Sequence, residues 1–122
     1  MKNQTYRMTL LFDFYGDILT DRQKEFYDLY YNEDLSLAEI AENYGISRQG
    51  VRDVIVRAEG IMTELEDKTG IIKRFKAMQT HVQAICDTAD ELLQANHAAT
   101  FPDSNLEASL LRIKAEAEAL KE

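Results

Sequence analysis

The sequence feature that most constrains the fold is Gly45, which lies between two short stretches of helix-forming residues. A helix-turn-helix needs a positive φ angle at its turn, and glycine adopts that angle without strain. Four residues earlier, Ala41 is small enough for two helices to cross closely. Val51 and Val54 follow at the spacing expected for the buried side of a second helix. The pattern predicts a helix-turn-helix over residues 37–56.

Polar residues at two helix starts support this motif. Ser36 and Glu39 have the spacing of a capping box, in which each side chain accepts a bond from the other residue's backbone N–H. Ser47 is placed to cap the second helix. The apolar side chains predicted to face inward between the two helices are Leu37, Ile40, Tyr44 and Ile46.

Amphipathic helices are predicted on both sides of the motif. One covers Thr5 to Ile18, and a second begins at Leu19 with a capping box formed by Thr20 and Gln23. Their apolar residues are Met8, Leu11, Phe12, Tyr15 and Ile18 in the first, and Phe26, Leu29 and Tyr30 in the second, flanked by Tyr27 and Tyr31. The helix after Ser47 continues to a stop at Gly70 and carries an apolar stripe of Val51, Val54, Ile55, Ala58, Ile61, Met62 and Leu65.

Beyond Gly70 the apolar residues follow a seven-residue repeat, which is typical of helices that pack side by side. A polar break around Asn96 to Asp103 divides this tail, and Ser104 with Glu107 is predicted to cap the last helix. The repeat consists of Ile71, Phe75, Met78, Val82, Ile85, Ala89 and Leu92 before the break, and Leu106, Leu110, Ile113, Ala117 and Leu120 after it. The tail either folds back as an antiparallel hairpin or pairs its longer helix with a second subunit. Because two helices alone bury little core, we expect a homodimer.

The overall prediction is an all-α protein, since five glycines and one proline in 122 residues are few for a strand-rich chain. A helix-turn-helix domain is expected over residues 1–70, followed by a helical hairpin or coiled-coil tail over 71–122 that serves dimerisation or packs on the first domain. Cys86 is the only cysteine, which excludes an internal disulfide. Its apolar helical setting predicts a small buried hydrophobe.

The charge of the chain limits how it can bind nucleic acid. Fourteen basic and twenty-two acidic residues give a net charge of −8, so the long-range field repels phosphate. Binding then needs a local basic cluster, dimerisation or a basic protein partner. If the helix after Gly45 enters a major groove, its first turns meet the bases. The residues expected to contact nucleic acid are Ser47, Arg48, Gln49, Arg52 and Arg57.

Catalytic and metal-binding patterns are absent from the sequence. His81 and His97 are sixteen residues apart without the carboxylate or cysteine spacing of a metal site. No glycine-rich phosphate loop is present, and Cys86 has no activating partner evident in the sequence. No apolar stretch is long enough to span a bilayer, and the N-terminus does not resemble a signal peptide. We therefore expect a cytoplasmic protein that is not an enzyme and has no cofactor.

Three stretches, Leu19–Gln23, Leu35–Ala41 and Gly45–Val51, resemble region four of bacterial sigma factors. With Leu11–Tyr15 and Leu29–Leu35 added, the chain is similar to the YlxM family of Firmicute proteins, which are described as DNA-binding and are encoded beside the signal recognition particle genes. The resemblance is close over residues 1–70, whereas the tail is similar only in being helical and charged.

This resemblance implies nucleic-acid contacts at Ser47, Arg48, Gln49 and Arg52 and brings no catalytic residues or cofactor. Two functions remain open at this point. One is a dimeric DNA-binding regulator, and the other is an accessory protein that binds the GTPase or the RNA of the signal recognition particle. The acidic surface favours docking on a basic protein in the second case, and Tyr27, Tyr30 and Tyr31 would add contacts there if exposed.

Overall fold

Helices cover most of residues 5–121, which are the residues described by the structure, a computed structural model. No β-strand occurs among them, and the predicted all-α fold with a helix-turn-helix is confirmed. Within this part of the chain, no helix combines the length and apolar character that a membrane span requires. The helices are α1 (Thr5–Tyr15), a 3₁₀ turn (Gly16–Ile18), α2 (Asp21–Tyr31), α3 (Leu37–Tyr44), α4 (Arg48–Thr69), α5 (Ile71–Ala98) and α6 (Ser104–Ala119).

The chain divides into two compact units between Ile72 and Lys73. The sequence-based boundary after residue 70 lies two residues from this division. The first unit contains α1 to α4 and the start of α5. The second contains the rest of α5 and all of α6.

The core of the first unit is built around the apolar stripe of α4, as predicted. Val51, Ile55, Ala58 and Met62 are fully buried there, and α4 contacts α1, α2 and α3. Ile18 does not join the core, because α1 ends at Tyr15 and the 3₁₀ turn leaves Ile18 55% exposed. The prediction of one helix through Ile18 is therefore wrong in its last turn.

Helix α2 buries more of its surface than its pattern predicted. Tyr27 and Tyr31, expected to flank the apolar face, are buried, whereas Leu29 is only half-buried. Because α2 packs against α1, α3 and α4, burial extends over more than one stripe. The phenol of Tyr27 donates to the Met8 carbonyl at 2.6 Å, and that of Tyr31 donates to Glu59 Oε1. These bonds satisfy the two buried hydroxyls.

Apart from the end of α1, the helix starts and stops of the first unit lie where the sequence placed them. Both capping boxes are present, at Thr20 with Gln23 and at Ser36 with Glu39. Gly70 ends α4 at a φ of 61°, in the left-handed region. The cap predicted for α6 is wrong. There Asp103, one residue earlier than expected, accepts from the backbone N–H groups of the first turn at 2.9 and 3.1 Å.

In the second unit, α5 and α6 form an antiparallel hairpin. Lys114 pairs with Asp90 at 2.8 Å near its middle. At the loop, Asn96 lies inside α5, not in the predicted break, and is nearly buried. Its Nδ2 donates to the Asp103 carbonyl and its Oδ1 accepts from the Asp103 N–H, both at 2.9 Å. The hairpin alternative is therefore the one that this unit adopts.

Only some of the residues in the predicted seven-residue repeat are buried between the two helices. Alternate members, together with the free thiol of Cys86, are buried between the two helices. The other members face outward, because a two-helix hairpin encloses a single stripe of each helix. The buried set is Val82, Cys86, Ala89, Leu110 and Ala117. The exposed set is Met78, Ile85, Leu92, Leu106, Ile113 and Leu120.

Candidate nucleic-acid interface

The corner between α3 and α4 is made by Gly45, whose φ of 66° and ψ of 32° place it in the left-handed region. The Gly45 and Ile46 N–H groups both donate to the Ala41 carbonyl, the latter at 3.2 Å. Ser47 then caps α4, and its Oγ accepts from the Gly50 N–H at 2.9 Å. A Cβ on Gly45 would meet no atom within 4 Å. The glycine is therefore required by the backbone angle and not by a lack of space.

The two helices of the motif pack as the sequence indicated. Ala41 is 5% exposed and Val51 is fully buried, while Val54 is half-buried. Tyr44 fastens α3 to α2 through an edge-on contact with Phe26, with the ring centroids 4.9 Å apart. A hydrogen bond to Glu25 is the main cause that raises the pKa of the Tyr44 phenol. These contacts fix the position of α3 beside the exposed side of α4.

That exposed side brings together three of the predicted contact residues. Arg48 and Arg52 are one turn apart, so they share a face of α4, and Gln49 lies beside them. All three are exposed. They line one surface depression of about 520 Å³, whose other lining residues are Tyr30, Ser36, Leu37 and Ala38.

The start of α3 contributes to this depression, which the sequence did not reveal. The first N–H groups of a helix have no partner within it and carry partial positive charge. Leu37 and Ala38, the first two residues of α3, line the same depression as Arg48 and Arg52. A chain with a net charge of −8 thus has two arginines beside the N-terminus of a helix. Ser36 was recognisable as a cap, but its place beside α4 follows only from how the two helices pack.

Gln49 is held by a neighbour on its own helix. Its Nε2 donates to Asp53 Oδ1 at 2.8 Å, and both side chains are exposed. The bond leaves the Gln49 carbonyl oxygen available as an acceptor. The Gln49 amide nitrogen carries a second hydrogen, so both of its polar atoms can still meet adenine, as the amide readout of that base requires.

Ser47 and Arg57 are placed differently from the other three. Ser47 is exposed, but its hydroxyl oxygen serves as the helix cap. Arg57 lies in a separate depression of about 300 Å³, which it shares with Arg22 and Asp53. Arg22, a residue that the sequence analysis missed, also places its guanidinium 5.4 Å from the Phe26 ring centroid. The five predicted residues therefore form one cluster of three and two outliers.

Comparison with known proteins shows which family the helix-turn-helix belongs to. Residues 2–100 match the family described as "Putative helix-turn-helix protein, YlxM / p13 like". A UPF0122 protein of Desulforamulus reducens is 50% identical over 70 residues, which cover 57% of this chain and 60% of that protein. One from Clostridium kluyveri is 41% identical over 92 residues, covering 75% and 83%. One from Halalkalibacterium halodurans is 40% identical over 91 residues, covering 75% and 84%.

The family match extends through the whole of α5, whereas the resemblance seen in the sequence ended at residue 70. The start of the tail is therefore part of what the family shares. With its left-handed glycine corner and capped second helix, the chain belongs to the UPF0122 family of YlxM/p13-like helix-turn-helix proteins.

Proposed function

We propose that this protein is a cytoplasmic DNA-binding regulator that inserts the start of α4 into the major groove, as the sigma-region-four resemblance implies. The observation that carries the proposal is the cluster of Arg48, Gln49 and Arg52, exposed beside the N-terminus of α3. The role is one of binding and not of catalysis. Its link to the signal recognition particle pathway rests on the resemblance to YlxM.

Each part of the depression suits a different part of a DNA duplex. An arginine can donate two hydrogen bonds to guanine O6 and N7, which suits Arg48 or Arg52 to base readout. The N–H groups at Leu37 and Ala38 suit a backbone phosphate. Gln49 can offer its carbonyl oxygen as an acceptor and its second amide hydrogen as a donor while the bond to Asp53 remains. Phosphate contacts then set the position of α4, and base contacts set the sequence preference.

The net charge of −8 argues that one motif by itself binds weakly. A single corner offers few cations for phosphate, so we propose that two motifs act together in a homodimer. Two linked motifs raise the affinity because the second contact forms at high effective concentration. The binding constant should fall with salt along a shallow slope set by these few phosphate contacts.

A second candidate is an accessory protein of the signal recognition particle that binds its GTPase or its RNA. The acidic surface supports docking on a basic partner, since opposite potentials speed encounter. The tyrosines do not support it. Tyr27, Tyr30 and Tyr31 are each at most 7% exposed, so the aromatic contacts that would have required their exposure are unavailable.

The test begins by selecting bound sites from a random DNA library with the wild-type protein. Affinity for the selected site is then measured for the double variant Arg48→Ala with Arg52→Ala. Each lost bidentate contact is worth about 1–3 kcal/mol, so affinity should fall about 30-fold or more for the two together. The salt slope should also become shallower if either arginine contacts phosphate. A matched control is Arg7→Ala with Lys68→Ala, which removes the same charge from exposed positions outside the depression.

If both double variants lose the same affinity for DNA, the loss comes from the general charge of the protein and not from a specific site. Unchanged binding in the Arg48 and Arg52 variant would refute the assignment. If no DNA site is enriched while signal recognition particle RNA or its GTPase binds the wild-type protein, the second candidate replaces the first.

A further inference from the structure

The hairpin of α5 and α6 exposes a face of large apolar side chains, here called the outer face. Three of its residues on α5 and three on α6 are spaced seven apart, so each set lies along one side of its helix. Their exposed fractions run from 38% to 52%. They are Met78, Ile85, Leu92, Leu106, Ile113 and Leu120.

The outer face carries larger side chains than the buried side of the same hairpin. Between the helices, four of the five buried apolar residues are small: Val82, Cys86, Ala89 and Ala117. A hairpin that is stable by itself would bury its leucines, isoleucines and methionine, because burial of apolar area drives folding. The distribution is that of a hairpin whose main apolar surface is covered by something else.

The outer face is continuous across the two helices. Ile85 and Ile113 both line two adjoining depressions of about 320 and 430 Å³. Leu92 also lines the first depression, and Leu120 also lines the second. One apolar groove therefore runs between α5 and α6 over several helical turns, the pattern by which hairpins pack into four-helix bundles.

We infer that the outer face binds the outer face of a second copy of this chain, so that two hairpins form a four-helix bundle. The face fits itself in length, because Met78 to Leu92 and Leu106 to Leu120 each cover fifteen residues, or about 21 Å of helix from the first to the last. A two-fold pairing sets one such row against another without overhang.

The area agrees with a dimer of this kind. Six half-exposed large side chains leave on the order of 500 Å² of apolar surface per copy, and the small residues and rim add more, against ~800 Å² per partner in a standard interface. A patch of that size is at the upper limit for a monomer.

The rim of the outer face carries both signs of charge. Arg112 and Glu116 border the same depression as Ile113. Within residues 5–121 neither forms an ion pair. Because a two-fold interface sets the same rim against itself, Arg112 of one copy can lie opposite Glu116 of the second copy. A basic or acidic partner of one sign would leave one of these two charges opposed by its own kind.

Polar contacts within one copy also hold the hairpin together. Asn96 closes its loop with two hydrogen bonds to Asp103, and Lys114 bridges the helices to Asp90. A preformed surface loses little conformational entropy when it binds. The inference extends the proposed homodimer by assigning its interface, and it does not depend on DNA binding.

The test is sedimentation of the full chain without nucleic acid at tens of micromolar protein. Wild type should sediment as a dimer of the 14.0 kDa chain. Ile113→Glu places a charge in the middle of the outer face and should weaken self-association about 100-fold or more. Leu111→Glu is the matched control, on the same helix and 51% exposed against 49%, but outside both depressions. It should remain a dimer.

Circular dichroism checks that both variants keep their helices, which is expected because both side chains are already half in water. Ile113→Ala, a good helix former, should weaken the dimer without adding charge. The Arg48 and Arg52 double variant should stay dimeric, which separates this inference from DNA binding. A monomeric wild type, a dimeric Ile113→Glu, or equal dissociation of the Leu111→Glu control would each overturn the inference.

Discussion

Replacing Gly45 with alanine isolates the backbone requirement of the corner between α3 and α4. The added methyl group has open space, since a Cβ there meets nothing within 4 Å. Any loss of stability therefore comes from the φ angle of 66° and not from a clash. Gly60 is a matched control, because it is equally open but lies inside α4 with a helical backbone.

The expected magnitudes follow from these two backbone states. An alanine in the left-handed region costs about 1–2 kcal/mol. Alanine also has fewer conformations than glycine in the unfolded chain, which offsets about 0.4–1 kcal/mol of this cost. The Gly45→Ala variant should therefore lose about 1 kcal/mol of unfolding free energy. At Gly60 alanine should add about 0.5–1 kcal/mol, because glycine is a poor helix former.

Urea unfolding followed by tyrosine fluorescence measures this difference in the right part of the molecule. The chain has no tryptophan, and its six tyrosines all lie between Tyr6 and Tyr44. The signal therefore reports on the first unit. With a slope of about 1–3 kcal/mol per molar urea, the Gly45→Ala midpoint should drop by roughly 0.3–1 M, and that of Gly60→Ala should rise by a similar amount.

The two alanine variants should shift the urea midpoint in opposite directions, and this difference in sign is the test. If both variants shift in the same direction, the left-handed angle at residue 45 does not govern the stability of the corner. Gly45→Asn gives an intermediate case, since asparagine tolerates this region better than alanine. Its loss should be smaller than that of alanine.

Two further predictions concern other parts of the chain. Asn96→Ala should lower hairpin stability by about 1–3 kcal/mol, because it removes both hydrogen bonds to Asp103. The measurement is a thermal melt monitored by circular dichroism, and a Tm equal to that of the wild type would contradict this prediction. Burial raises the pKa of the Tyr27 and Tyr31 phenols, and the bond to Glu59 raises that of Tyr31 further. Below about pH 10 both states keep these protons, and above it only the unfolded state releases them readily. The unfolding free energy should therefore fall as pH rises past that value, and a flat profile in urea titrations at alkaline pH would disprove it.

The sequence alone determined the local geometry of the motif. Gly45, Thr20, Ser36, Ser47 and Gly70 each act on the backbone within a few residues, so their positions in the sequence sufficed to place the corner, the caps and the stop. The exposure of the first turns of α4 also followed, because a capped helix with one apolar stripe turns its other side outward.

The composition of the candidate site needed the tertiary structure. Joining the start of α3 to Arg48 and Arg52 depends on how two helices cross. The separation of Arg57 from them, by contrast, already follows from its spacing of five residues after Arg52, about 140° around α4. The bond between Gln49 and Asp53 was allowed by their spacing of four, but spacing does not select which polar neighbour a side chain binds.

The tail shows the same division. The seven-residue repeat predicted two helices that pack side by side, because period alone defines an apolar stripe. It did not tell which half of the stripe would be enclosed. Only packing decided that Val82 and Ala117 lie inside while Ile85 and Ile113 lie outside, since two antiparallel helices have room for one row of side chains between them.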